Sequence, residues 1–207
     1  MPKINVLIAG STGYIGIQLI KLLVKHRNIN IKYLCGKNSI GKKIHNFDNE
    51  LKNKKLPNII KFKDELLKNI DIIFTALPNG EAQVISKKLL NHNKLIDLAA
   101  DFRLKNKVDY MKWYKKKHQA PNNIKKSIYA LPEFTGNEIK NFQIIGCPGC
   151  YPTSILLPLI PLIKKKFIKL DNIIIDSKSG YSGAGRGVHK KYKDKNLYES
   201  LSAYGVS

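Results

Sequence analysis

Arginine is nearly missing from this chain. Of its 37 basic residues only Arg27, Arg103 and Arg186 are arginines, and the rest are lysines. Acidic residues are scarce too, 15 in all, leaving a formal net charge of +22. A field of that size attracts nucleic acid. Proteins that read base edges, however, lean on the bidentate arginine fork, and no motif of stacking aromatics accompanies the charge. The lysines scatter over helix faces and loops among many Asn and Ile residues, so they read as solvated surface and specific nucleic-acid binding is set aside. Against that background an arginine is a deliberate choice.

Other absences narrow the class further. Three cysteines, an odd number, argue against a disulfide framework and for a reducing compartment. No apolar run reaches the roughly 18–20 residues needed to cross a bilayer. The first ten residues run straight into strand-like sequence without the pattern of a secretory signal. The expectation is a cytoplasmic protein that does not associate with membranes. At 207 residues and 43% hydrophobic content, it can bury one large core or two modest ones.

Apolar runs alternate with helical faces along the first two thirds. Lys3 to Ala9 reads as a buried strand, Ile15 to Lys25 as a helix, and Asn30 to Cys35 as a second strand. A short helix over Asp64 to Asn69, a strand over Asp71 to Leu77 and a helix over Gly80 to Asn91 follow. Strands over Lys94 to Leu98 and Phe142 to Gly146 complete the series. This alternation predicts an α/β, Rossmann-like doubly wound parallel sheet over residues 1–150. Residues 151–207 then begin an α+β substrate or catalytic domain, with a strand over Asp171 to Asp176.

Between the first strand and first helix lies Gly10-Ser11-Thr12-Gly13-Tyr14-Ile15-Gly16. Glycines serve a tight turn, a close approach of backbone to a pyrophosphate, and helix-on-strand packing, while the helix N-terminus offers N–H groups and dipole to phosphates. These seven residues are the candidate dinucleotide site. The end of the second strand, where an acid would bind the ribose of NAD, carries Lys37 instead. A cation there favours the 2′-phosphate of NADP.

Gly146-Cys147-Pro148-Gly149-Cys150-Tyr151-Pro152-Thr153-Ser154 sets a cysteine at a turn before an apolar helix. Pro152 suits a first helical turn. Cys150 at such a terminus is stabilised as a thiolate, a nucleophile for acyl chemistry. Three other readings of Cys147 and Cys150 stay open: a redox dithiol, half a zinc site, or small residues in a tight turn. The loop Ser179 to Arg186 gathers small residues whose N–H groups can converge on an anion, with Arg186 adding a planar fork. Ser182 and Gly183 in that loop are candidate cofactor contacts, and Arg103 and Arg186 candidate substrate contacts. For Arg103 an ion pair with Asp101 is an equal alternative. His26, His45, His92 and His118 read as surface residues, and His189 as solvated.

Together these residues resemble N-acetyl-gamma-glutamyl-phosphate reductases. The likeness rests on GSTGYIG at 10–16, LPNGEA at 77–82, DLAADFR at 97–103, YALPE at 129–133, GCPGCYPTS at 146–154 and SGYSGAGR at 179–186. It implies an NADP-dependent reductase of arginine biosynthesis acting on a small-molecule acyl phosphate. Cys150 would attack, expel phosphate and carry the acyl group as a thioester, and the enzyme would be a homo-oligomer. Two departures stand out. Cys147 replaces the family's usual asparagine, and the family's catalytic histidine motif would follow a segment like 202–207, so the expectation is a C-terminally truncated member. The resemblance leaves open an aminoadipyl-phosphate reductase of lysine synthesis, or a non-catalytic NADP-binding remnant.

Overall fold

A computed structural model describes residues 2–180 and 183. The chain divides into two compact units, Met1–Ile175 and Asp176–Ser207. The first is built on seven strands: β1 (Ile4–Ala9), β2 (Ile29–Cys35), β3 (Ile59–Ile60), β4 (Ile72–Thr75), β5 (Lys94–Asp97), β6 (Ser127–Tyr129) and β7 (Ile144–Gly146). They form one sheet in the order β3-β2-β1-β4-β5-β7-β6. Every pairing is parallel. Six α-helices accompany it: α1 (Tyr14–Leu23), α2 (Glu81–Ser86), α3 (Lys107–Tyr114), α4 (Pro121–Ile124), α5 (Pro132–Thr135) and α6 (Cys150–Lys164).

Strand periodicity explains the two-sided core. Successive side chains of β1 point to opposite faces. Val6 and Ile8 pack with Ile17, Ile20 and Leu23 of α1, while Leu7 and Ala9 pack with Ala82 and Ile85 of α2. The apolar runs read from sequence are continuous because a parallel strand is covered on both faces. β1 is an interior strand, third of the seven. The strand order reverses between β1 and β4, and a ligand crevice belongs at the carboxyl ends beside such a reversal.

Three expectations change. The segment 171–176 is not a strand: Asn172 takes φ +57° and the Ile174 side chain is 93% exposed. No neighbouring strand among the described residues offers the ladder bonds that an extended segment needs. The second helix stops at Ser86 instead of reaching Asn91, because the chain turns back toward β5; there the Asn93 amide donates to the Leu67 and Ile70 carbonyls. His118 is buried, not a surface residue. Among the described residues, no helix is long and apolar enough to cross a membrane.

Candidate active site

The glycine turn joins the ends of two strands. The N–H groups of Gly10 and Ser11 both donate to the Cys35 carbonyl at the end of β2, and the Ser11 hydroxyl donates there as well. Ser11 is thus a buried brace. Gly10 has φ +86°, and a Cβ there would lie 2.2 Å from the Ala76 carbonyl oxygen. A Cβ on Gly16 would lie 2.3 Å from the Gly10 carbonyl oxygen. These two glycines fix the turn and the packing of α1.

Gly13 differs. It caps α1 with no side-chain hydrogen bond, no acid follows in the first turn, and a Cβ there would meet only the Gly10 carbonyl, at 3.5 Å. The first bond into the helix runs from the Ile17 N–H to the Gly13 carbonyl at 2.9 Å. Helix-start N–H groups ahead of that bond lack intrahelical partners. With no side-chain cap and no acid in its first turn, this helix start fits the phosphates of a dinucleotide. Thr12 lies half-buried in the turn, and Tyr14 and Ile15 are exposed beside it. Lys37, just past β2, forms an ion pair with Glu81 at 2.7 Å.

The second turn, from Gly146 to Cys150, is held by the loop after β5. A Cβ on Gly146 would lie 2.4 Å from the Phe102 carbonyl oxygen, so the loop and the end of β7 touch backbone to backbone. The Cys147 N–H donates to the Asp97 carbonyl at 2.8 Å. Arg103 donates from Nε to the Cys147 carbonyl at 2.8 Å, and a Cβ on Gly149 would lie 3.3 Å from Arg103 Nη1. Arg103 makes no ion pair with Asp101. Its guanidinium braces the turn that presents Cys150.

The two thiols of this turn are not equivalent. Cys150 is the first residue of α6, behind an N-cap glycine, and it is exposed. Cys147 is tucked in, and burial first, then the neighbouring Asp97 carboxylate, push its thiol up to about 11 against the pull of Arg103. Cys35 is fully buried and pushed up to about 12 by desolvation. All three are free thiols.

Behind Arg103 stands a polar network that the sequence reading missed. Asp97, Asp101, Gln83, Tyr110 and His118 are all buried. Asp101 accepts from the N–H groups of Gly80 and Gln83, from Gln83 Nε2 and from the Tyr110 hydroxyl. Asp97 accepts from the Thr75 hydroxyl and from the N–H groups of Ala99 and Asp101. Burial, reinforced by Asp101, lifts its carboxyl to about 6 despite those bonds. His118 Nδ1 accepts from the Ala120 N–H, so Nε2 carries the proton and donates to the Asp101 carbonyl at 3.0 Å. Desolvation lowers its pKa and keeps it neutral. The network ties α2 and α3 to the loop carrying Arg103. Two members were visible in sequence as the acids of DLAADFR.

Ser182 and Arg186 lie outside the described residues, as does His189. Gly183 is described in a short turn of the second unit, its N–H donating to the Gly180 carbonyl at 3.0 Å. Among the described residues no group of His, Cys, Asp and Glu could hold a metal ion.

The model of the semialdehyde dehydrogenase NAD-binding domain matches residues 5–142. This chain belongs to the semialdehyde dehydrogenase family. The family's dimerisation-domain model matches residues 150–207. Similar curated proteins include the probable chloroplastic N-acetyl-gamma-glutamyl-phosphate reductase of Oryza sativa subsp. japonica, 42% identical over 99% of this chain and 49% of its own length. The N-acetyl-gamma-glutamyl-phosphate reductase of Ehrlichia canis is 39% identical over 99% of this chain and 59% of its own length. That of Clostridium beijerinckii is 44% identical over 100% of this chain and 59% of its own. The chain thus spans between 49% and 59% of the length of these relatives. Among solved structures, aspartate semialdehyde dehydrogenase II of Vibrio cholerae gives a TM-score of 0.51 at 19% identity, covering 79% of this chain and 43% of that one. The NADP-containing aspartate semialdehyde dehydrogenase of Candida albicans gives 0.50 at 19% identity, covering 79% and 47%. Likeness at that identity carries the fold alone.

Proposed function

We propose that this chain carries the cofactor site and the nucleophile of an NADPH-dependent N-acetyl-gamma-glutamyl-phosphate reductase of arginine biosynthesis. The observation that carries the reading is the contrast at one turn: an exposed Cys150 at a helix start, braced by Arg103, beside a Cys147 that burial holds as a thiol. The names borne by the relatives support the substrate.

In this reading the Cys150 thiolate attacks the carbonyl carbon of the acyl phosphate. The C–O bond to phosphate breaks, inorganic phosphate leaves with the electron pair, and a thioester remains on Cys150. The 10–16 turn, with Lys37 toward the 2′-phosphate, would hold the dinucleotide, which when bound would supply a hydride for reduction of this thioester. Collapse of the resulting thiohemiacetal breaks the C–S bond, regenerating the thiolate and releasing N-acetylglutamate semialdehyde. A thiolate suits both halves because it attacks readily near neutral pH and leaves well. We assign Arg103 and Arg186 to the substrate's anionic groups, and Ser182 and Gly183 to cofactor contacts.

We assign residues 1–150 to the NADP-binding domain and 151–207 to the start of the substrate domain. α6 buries none of its residues, and Leu157 and Leu162 stand exposed on it, so we assign it to a contact with a second copy of the chain. The free cysteines suit a cytoplasmic enzyme.

Phosphate release in a single turnover tests the substrate. Mixed with the purified protein, N-acetylglutamyl phosphate is expected to release one phosphate per chain faster than N-acetylaminoadipyl phosphate does. The opposite preference would move the reading to lysine synthesis, and release from neither would overturn it.

A further inference from the structure

Lys37 and Glu81 meet across the end of β1. Lys37 stands two residues past the end of β2, Glu81 opens α2 after β4, and β1 lies between those two strands. Their 2.7 Å ion pair therefore spans the loops on either side of the glycine turn. We infer that Glu81 is a specificity-determining residue for the dinucleotide: it is the partner that Lys37 must give up to take a 2′-phosphate. This inference rests on the dinucleotide reading above.

Binding of a 2′-phosphate at Lys37 is an exchange of anions. The lysine ammonium is a compact point charge with rotatable donors, already satisfied by a carboxylate in the free protein. A 2′-phosphate on the ribose replaces one anion with a more highly charged one, so what NADP gains at Lys37 is the difference between two pairs. A ribose bearing only a 2′-hydroxyl offers nothing to compete, and the pair stays closed. Without Lys37, Glu81 at the start of α2 becomes an unpaired carboxylate where the lysine ammonium stood, the residue type that accepts a hydrogen bond from a ribose 2′-hydroxyl. One pair thus holds the determinants for both cofactors, with the lysine masking the acid.

Calorimetric titration of the purified protein with NADP⁺ and NAD⁺ tests this, using Glu81→Gln, Lys37→Ala and the double variant. Glu81→Gln should tighten NADP⁺ by about two- to fivefold, the scale of an exposed ion pair, and leave NAD⁺ unchanged. Lys37→Ala should weaken NADP⁺ by about tenfold or more and tighten NAD⁺, a gain that the double variant loses. If Glu81→Gln leaves NADP⁺ unchanged or weakens it, or Lys37→Ala brings no gain for NAD⁺, the role of Glu81 is refuted. A loss of NADP⁺ affinity in Lys37→Ala would still uphold the cofactor reading in that case. Failure of the unmodified protein to bind either nucleotide would refute both.

Discussion

The turns at the ends of β1 and β7 are two versions of one device. Each strand ends in glycine-rich backbone, and each following helix is capped by a glycine in nearly the same conformation: Gly13 at φ −71°, ψ 163° and Gly149 at φ −70°, ψ 169°. Neither cap uses a side-chain hydrogen bond, and neither helix has an acid in its first turn. Both leave a positive helix end open to an anion. They differ in what stands there. At α1 the turn presents glycine backbone to a diffusible phosphate; at α6 the first residue is Cys150, a thiol tethered to the chain. The first turn is closed behind by Ser11 and Cys35, the second by Arg103 and a buried carboxylate network.

The largest expected effect separates the two thiols of the second turn. A thiol with a pKa near 11 is only about one part in a thousand thiolate at pH 8, and the thiolate is the reactive form. Iodoacetamide at pH 8 should therefore modify buried Cys147 at only about a thousandth of its limiting rate, so that exposed Cys150 is labelled first, with Cys147 catching up only as pH climbs toward 11. Equal rates in peptide mapping would contradict the contrast.

The first turn can be broken at one glycine and spared at another. Gly10→Ala forces a Cβ against the Ala76 carbonyl at a positive φ, which should cost about 2–4 kcal/mol. Gly13→Ala meets nothing closer than 3.5 Å and should cost under about 1 kcal/mol while weakening dinucleotide binding. Denaturant melts of the two variants check this; equal destabilisation would remove the distinction between packing glycine and open glycine.

Asp97 gives the second turn a pH dependence. Its carboxyl titrates near 6 in the folded protein against 3.8 ordinarily. A raised folded pKa means that the contribution is fully present below about 3.8 and is lost as pH rises through about 6. The shift corresponds to about 3 kcal/mol at most. His118 works the other way, since its lowered pKa costs stability as pH falls below about 6.5. Unfolding free energies of Asp97→Asn and the unmodified protein between pH 4 and 8 should therefore diverge, the difference changing mainly between 4 and 6. A constant difference would mean that Asp97 is ionised throughout. Smallest is Arg103→Lys, which keeps the charge and loses the planar fork. It should weaken acyl phosphate binding by about tenfold, seen as a shift in the half-saturation of phosphate release. An unchanged half-saturation would argue against the substrate role.

Much of this arrangement was legible in the sequence, for reasons the structure makes plain. β1 is buried on both faces from Val6 to Ala9, so its apolar run is unbroken, and glycine marks its end; β4 and β5 alternate buried and half-buried positions but stay largely apolar. β3 and β6, two and three residues long, are too short to show a period. α3 announces itself locally, since the Asn106 side chain accepts from the N–H groups of Val108 and Asp109, an N-cap pattern that the reading passed over. The burial of His118 could not be read at all. It arises where Phe102 and Tyr110 close over the ring, contacts made by residues 8 and 16 positions away. The strand expected over 171–176 shows the opposite error: three isoleucines in a row favour extended backbone only where a sheet receives them.

Trapping the acyl group tests the account most directly. The purified protein is incubated with N-acetylglutamyl phosphate in the absence of nucleotide, quenched in acid and mapped by mass spectrometry. The account predicts one N-acetylglutamyl adduct per chain on Cys150, lost in Cys150→Ser and retained in Cys147→Ser. An adduct on Cys147, or one that survives Cys150→Ser, would contradict it.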